Sequence, residues 1–355
     1  MNTKYEILMD KENSREITIG KGSHERKVIV HRIKALKDIG ESVKAGDIGG
    51  FVENEGNLDI YDDSWIYDSA VVCENAVIEN SEVREYAFIS DHVTITEKSK
   101  ISGRAVISGN AHISNSIVDD DAHITGSVTV SKDSHVNGDA DLRGNVRMIG
   151  SVTTGMCKLA ENVILHNSHI LEKASLGGSC KIVESTVKDS AYVAGSAIVI
   201  SSVIKDIAEV KDAAMVSNCI IKGDTVLLGR VYLDGNLTIY NSDQIFSITS
   251  FDPLYNKTHL GASAKFKGPT FVYTGKKIVV VDGELLCSPE EYVEWAVDTF
   301  GEEFREEYIT VCELARLHFK NCNPVDEETC RVKYRYCKED KSDKLSNLSS
   351  IEAFE

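Results

Sequence analysis

No stretch of this chain reaches the roughly 18 consecutive apolar residues of a membrane span. Its start, MNTKYEILMDKENSREITIG, carries charges where a secretory signal needs an apolar run. A cytoplasmic protein is therefore expected. Cationic charge is also scarce, with 39 Lys and Arg against 56 Asp and Glu and a formal net charge of −17. Summed by segment, residues 1–57 carry zero, 58–240 carry −10, 241–281 carry +3 and 282–355 carry −10. Non-specific nucleic-acid or anionic-membrane binding wants clustered Lys and Arg, so both are unexpected. A basic protein surface is the better electrostatic match, and so is a role in which the chain imitates a polyanion. Paired cysteines are missing too. Nine cysteines at irregular spacings suggest reduced thiols more than a disulfide framework. What is present is apolar content of 42%, enough for a core, in 355 residues, enough for one large domain or two ordinary ones.

The dominant feature is an internal repeat. In ENSEVREYAFISDHVTITEKSKISGRAVISGNAHISNSIV (79–118) a small residue, an arbitrary one and an aliphatic one return every five or six residues. Taking the small residue as an anchor, every step from Ser64 to Leu237 is five or six. Helices have no such period, and a strand meander would need a turn signal after each run. Sorted by threes, the anchors form columns. One runs Ser64, Ser81, Ser99, Ser116, Ser134, Val152, Ser168, Ser185, Ser202, Cys219, Leu237. A second begins Ala70, Ala87, Ala105, Ala122, Ala140, and a third alternates Ala and Val. Columns that appear only on every third unit define a three-sided coil of 17 or 18 residues. Residues two after each anchor are aliphatic, with Thr154 as the exception, so anchor and anchor-plus-two point inward and the residue between points out. About ten coils stacked at about 4.8 Å give a rod roughly 50 Å long.

The unit resembles the hexapeptide repeat of left-handed parallel β-helices, and the resemblance implies the handedness. The opening HRIKALKDIGESVKAGDIGGFVENEGNLDIYDDSWIYDSAVV (31–72) is similar to that of YdcK-like hexapeptide proteins of bacteria, phage and prophage. Arg32, Ile33, Ala35, the run 46–58 and SWIYDSAVV (64–72) carry the match, which with the repeats covers roughly 31–240. Members generally lack a characterised enzymatic activity, so the resemblance implies fold more than function. Physically the opening reads as a cap, with Gly49-Gly50 allowing a bend and Trp65 covering the end of the prism. No P-loop Lys-Ser/Thr follows the glycines.

The fold class expected is all-β: a three-sided parallel β-helix over 58–240, an N-terminal β cap over 1–57, and a small C-terminal α+β module. Residues 241–268 read as a connector, 269–337 as the strand-plus-helix module and 338–355 as a flexible tail. Short strands are expected around Thr274-Gly275 and Asp282-Gly283. Ser288 caps a helix with Pro289 at its first position, Gly301 stops it, and a second helix covers about 302–320.

Chemistry is harder to find. Hexapeptide acyltransferases, which this chain resembles in its coils, usually set a catalytic His beside a loop extruded between coils; no anchor step here exceeds six. Of the coil histidines His92, His112, His123, His135, His166 and His169, four (His112, His123, His135 and His169) sit one after an anchor, hence outward and on different faces. The late cysteines Cys312, Cys322, Cys330 and Cys337 lack a Cys-x2–4-Cys pair, and no His-x4-His pair marks a zinc site. No catalytic residue, metal or cofactor is expected. The reading is a binding or scaffold protein, phage or prophage encoded, engaging a host protein or small ligand and interfering with host defence; a divergent acyltransferase is the alternative. Candidate surface residues are Asp119, Asp120, Asp121, Asp62 and Asp63, whose bland role is to solvate the rod. Tyr292, Trp295, Phe304 and Tyr308 are candidate interface residues, and a homo-oligomer, trimer or dimer, is expected.

Overall fold

The computed structural model describes residues 2–227 apart from 21, 23 and 24, then 231–234, 238–240, 244–247, 269–273, 277–282 and 285–321. Two compact units emerge, Met1–Val231 and Tyr232–Glu355. In the first, each repeat folds into a strand of two to four residues that pairs in parallel with the strand three units later. Three sheets result, named here the serine face, the alanine face and the third face after their anchors. The register matches the columns: Lys100 pairs Glu82 below and Ile117 above, and Val106 pairs Phe88 and His123. Inward aliphatics such as Val83, Ile101, Ile107 and Val118 are fully buried. Proline, which cannot donate to a ladder, is absent before Pro253. Serine-column residues Ser81, Ser99 and Ser116 share one edge, as the repeat predicts.

At one coil the register differs from the sequence reading. Val152 pairs His135 and faces outward, while Ser151 and Thr153 are fully buried. The anchor is therefore Ser151, and the inward residue is Thr153 rather than Thr154. Serine thus runs unbroken from Ser64 to Ser202, and every five-residue step leads into its column. Hydrogen bonding explains the serine. Ser168 Oγ donates to His166 O at 2.8 Å and accepts from Ser185 N at 3.2 Å; Ser185 and Ser202 repeat the pattern. Where the step is six, as at Ser99 and Ser134, Oγ donates three residues back instead of two. The extra residue is a second left-handed one: Glu97 joins Lys98, and Lys132 joins Asp133.

The other two edges turn on single left-handed residues. Along the first edge, between serine and alanine faces, these are Asp68, Glu85, Gly103, Asp120, Gly138, Gly155, Glu172, Asp189, Asp206 and Gly223. Left-handed backbone costs an ordinary residue about 1–2 kcal/mol. The carboxylates offset this by bonding upward: Asp68 accepts from Glu85 N (3.0 Å), Glu85 from Gly103 N (3.0 Å), Asp120 from Gly138 N (3.2 Å) and Asp206 from Gly223 N (2.8 Å). Much of the rod's acidity is thus structural.

The N-terminal cap extends the alanine face. β1 (Tyr5–Leu8) and β2 (Ser14–Ile19) pair antiparallel with β3 (Arg26–Ala35), β3 with β4 (Ile48–Val52), and β4 runs parallel to Val71–Val72. The β2–β3 hairpin buries Ile19 and Val30 with Phe51, Val71 and Cys73. Arg26 fastens it to the second edge, bridging Glu74 and Asp91. Trp65 is buried and meets Tyr5 edge-on at 6.4 Å. Gly49 and Gly50 serve close approach within β4, not a bend. A Cβ on Gly49 would lie 2.6 Å from Ile66 O and 2.8 Å from the Trp65 ring.

In the second unit, strands Gln244–Ser247, Thr270–Tyr273, Ile278–Asp282 and Leu285–Cys287 form an antiparallel sheet in that order. The first falls inside the segment read as connector; the remainder of that segment, the turn at Thr274-Gly275 and the tail 338–355 lie outside the described residues. Helix α1 (Pro289–Phe300) starts at a reciprocal capping box of Ser288 and Glu291 and ends at Gly301. A 3-10 turn, Glu302–Phe304, then leads into α2 (Arg305–Asn321).

Candidate functional site

The structure separates the candidate carboxylates into two places. Asp62 and Asp63 stand where the chain enters the coils. Asp62 accepts from Ser64 N at 2.8 Å, from Asn80 N and from Lys4 Nζ at 3.2 Å. Burial works against its ionised form, but the Ser64 and Asn80 hydrogen bonds and the Lys4 charge outweigh it and hold its pKa below the usual carboxylate range. Lys4 itself is completely buried, bonded also to Asp59 O (2.6 Å) and Ser64 Oγ (3.1 Å), and burial lowers its pKa. The sequence reading missed this lysine because nothing in four N-terminal residues signals burial. Asp63 is exposed.

Asp119, Asp120 and Asp121 lie on the first edge, and each has a partner. Asp119 meets His135 Nε2 at 3.1 Å, Asp120 caps Gly138 N, and Asp121 takes a two-point contact from Arg104 at 2.6 Å and 2.6 Å. The Arg104 hydrogen bonds lower the Asp121 pKa. Around them runs a shallow open groove of about 570 Å³ along five coils. Its floor is the corner column Glu85, Gly103, Asp120, Gly138, Gly155, and its wall is the next column, Tyr86, Arg104, Asp121, Asp139, Met156. Tyr86 is 69% and Met156 47% exposed, large values for such side chains. The charges sum to −3, from Glu85, Asp120, Asp121 and Asp139 against Arg104. Sequence reasoning found the inward columns and passed over this outward one, although the same 17–18-residue period exposes it.

The coil histidines stay apart. His123 faces out from the alanine face, His112 and His166 from the third face, His135 and His169 from the serine face, and His92 meets Asn75 at 3.3 Å on the second edge. Both ring nitrogens of His123 are buried without a hydrogen-bond partner. Among the described residues no three His, Cys, Asp or Glu side chains come together as metal ligands. Cys73, Cys157 and Cys180 are buried, and burial pushes each thiol up to about 12, so they are inert fillers. Cys312 is buried as well, while Cys322, Cys330 and Cys337 lie outside the described residues.

Of the four C-terminal aromatics, Tyr292, Phe304 and Tyr308 lie in the core of the second unit, with Trp295 packed against that core and stacked on Tyr292 at 5.5 Å. They fasten α1 to α2 and the sheet, with Tyr292, Phe304 and Tyr308 buried and Trp295 partly exposed. Aromatic residues at helical spacing suit an interface and a core equally, and the sequence could not separate the two.

No family model matches the chain, and no curated protein matches it. Among solved structures, LpxA from Acinetobacter baumannii is similar over 55% of this chain and 77% of that one, at 16% identity and a TM-score of 0.23. So low a score carries no argument, and the parallel β-helix stands on its own strand pairing. Among the described residues no helix is long and apolar enough to cross a membrane.

Proposed function

We propose that this chain is a binding or scaffold protein, of phage or prophage type, that holds a host protein or small ligand against the outside of its β-helix. The observation that carries this reading is the first-edge groove, where accessible Tyr86, Met156, Arg104 and carboxylates share one face of a rigid rod. The coil histidines, by contrast, are spread over three faces and an edge. A host component as partner, and interference with a host defence as the biological role, follow from the phage and prophage setting of the YdcK-like proteins that residues 31–72 resemble. A left-handed helix and a homo-oligomer belong to the same reading.

The test is affinity capture from a bacterial lysate by the wild-type chain and by Tyr86→Ala and Arg104→Glu variants, with mass spectrometry and a small-molecule extract of the eluate. The reading expects a partner or ligand that the variants lose. Calorimetry with acetyl-CoA tests the rival acyltransferase. Tight acetyl-CoA binding together with turnover abolished by one His→Ala change would overturn the binding reading.

A further inference from the structure

We infer that the first-edge groove takes a linear, uncharged oligosaccharide lying parallel to the rod axis. The inference rests on the binding reading above and names the ligand class of that site. The groove spans four coil steps, about 19 Å at about 4.8 Å each. It is open along its length, so an occupant lies along it instead of entering it.

Three properties of the lining select the chemistry. First, the corner residues Glu85, Gly103, Asp120, Gly138 and Gly155 all have positive φ, between 55° and 88°. Such a backbone offers no strand edge, so an extended peptide cannot add to it by main-chain pairing. Second, the net charge of −3 repels anionic chains. The carboxylates are also mostly engaged: Glu85 and Asp120 cap backbone N–H groups and Asp121 holds Arg104, which leaves a weak demand for a cation. Each engaged carboxylate keeps lone pairs that accept from hydroxyl groups. Third, donors and a platform accompany these acceptors. Arg104 has guanidinium N–H groups beyond the two that meet Asp121. Glu85 and Asp120 accept from Gly103 N and Gly138 N, whereas Gly103 and Gly138 have no side chain to accept from Asp120 N or Gly155 N above them. Tyr86, 69% exposed at one end, offers a ring face to the C–H face of a sugar. Alternating acceptors and donors beside an exposed ring fit a polyhydroxylated chain.

The experiment titrates the full chain with cellotetraose, chitotetraose, maltotetraose and laminaritetraose, by calorimetry and saturation-transfer NMR, at low and high salt. At least one should bind with little salt dependence. Tyr86→Ala should weaken it about tenfold, the loss of one ring contact, and Arg104→Ala should weaken it too. Tyr61→Ala, an 89% exposed tyrosine away from the groove, should leave it unchanged. Unaltered melting curves for these exposed variants show that the fold persists. The inference is overturned if none of the four binds, or if binding survives both Tyr86→Ala and Arg104→Ala. Salt-sensitive binding of spermine in their place overturns it as well. A lysate partner still lost in Tyr86→Ala would keep the broader binding reading standing, whereas a partner indifferent to that change would remove both.

Discussion

A serine at the tight corner makes two hydrogen bonds that alanine cannot, one down its own coil and one to the coil above. In Ser168→Ala the Ser185 N–H loses its acceptor inside the prism, at a cost of about 1–3 kcal/mol. Cys219 occupies the same column, and its Sγ lies 3.0 Å from Ser217 O. Ser168→Cys should therefore cost less than Ser168→Ala, an ordering that urea denaturation of the two variants checks. The inward aliphatics tolerate far less. Ile107 is fully buried inside the prism, so Ile107→Asp should unfold several coils, since burying a carboxylate without a cationic partner is costly. An Ile107→Asp chain as stable as wild type would refute the inward assignment.

At the scale of elements, the cap is held in part by ionised carboxylates. The pKa of Glu74 is lowered by its Arg26 contact, and that of Asp62 by Ser64, Asn80 and Lys4. For a carboxylate depressed in the folded state, the stabilisation is complete above its unfolded pKa, about 4, and is lost as pH falls through the folded value. The cap should hold from neutral pH to about 5 and loosen below about 4. Trp65 fluorescence reports it, read in a Trp295→Phe background because the chain has two tryptophans. Glu74→Gln should flatten that acid limb. Within β4, Gly49→Ala places a methyl against Ile66 O and the Trp65 ring, and should cost about 1–3 kcal/mol by overpacking.

At the scale of the whole molecule, each unit has its own core and should show its own response to mutation. Tyr308→Ala opens the core of the second unit and should cost about 3–5 kcal/mol there. Hydrogen exchange should find the loss of protection within 270–321 and leave the coils unchanged, whereas a surface role for Tyr308 would leave protection intact throughout. Self-association remains our proposal, because flat parallel-sheet faces generally pack against something. Light scattering at tens of micromolar should show a dimer or trimer, and a monomer would remove it.

The inward half of the repeat determined the β-helix by itself. Small and aliphatic residues at a fixed period leave one way to bury every second side chain, and the third-unit columns of Ser and Ala set the coil length before any coordinate. At Ser151 and Val152 the spacing alone admits either residue as anchor; the unbroken serine column favours Ser151, and the pairing of Val152 with His135 decides it. The capping box at Ser288 was equally legible, being local in the chain. Tertiary structure alone decided the rest. It assigned the corner carboxylates to backbone capping, put Lys4 beneath the cap, turned Tyr292 and Tyr308 into core, and gathered Tyr86, Arg104, Asp139 and Met156 into one groove. The physical reason is common to all four. An inward coil position is marked by the period of its chain neighbours, while the role of each of these side chains depends on residues distant in the chain, as Asp120 depends on Gly138 and Lys4 on Asp62.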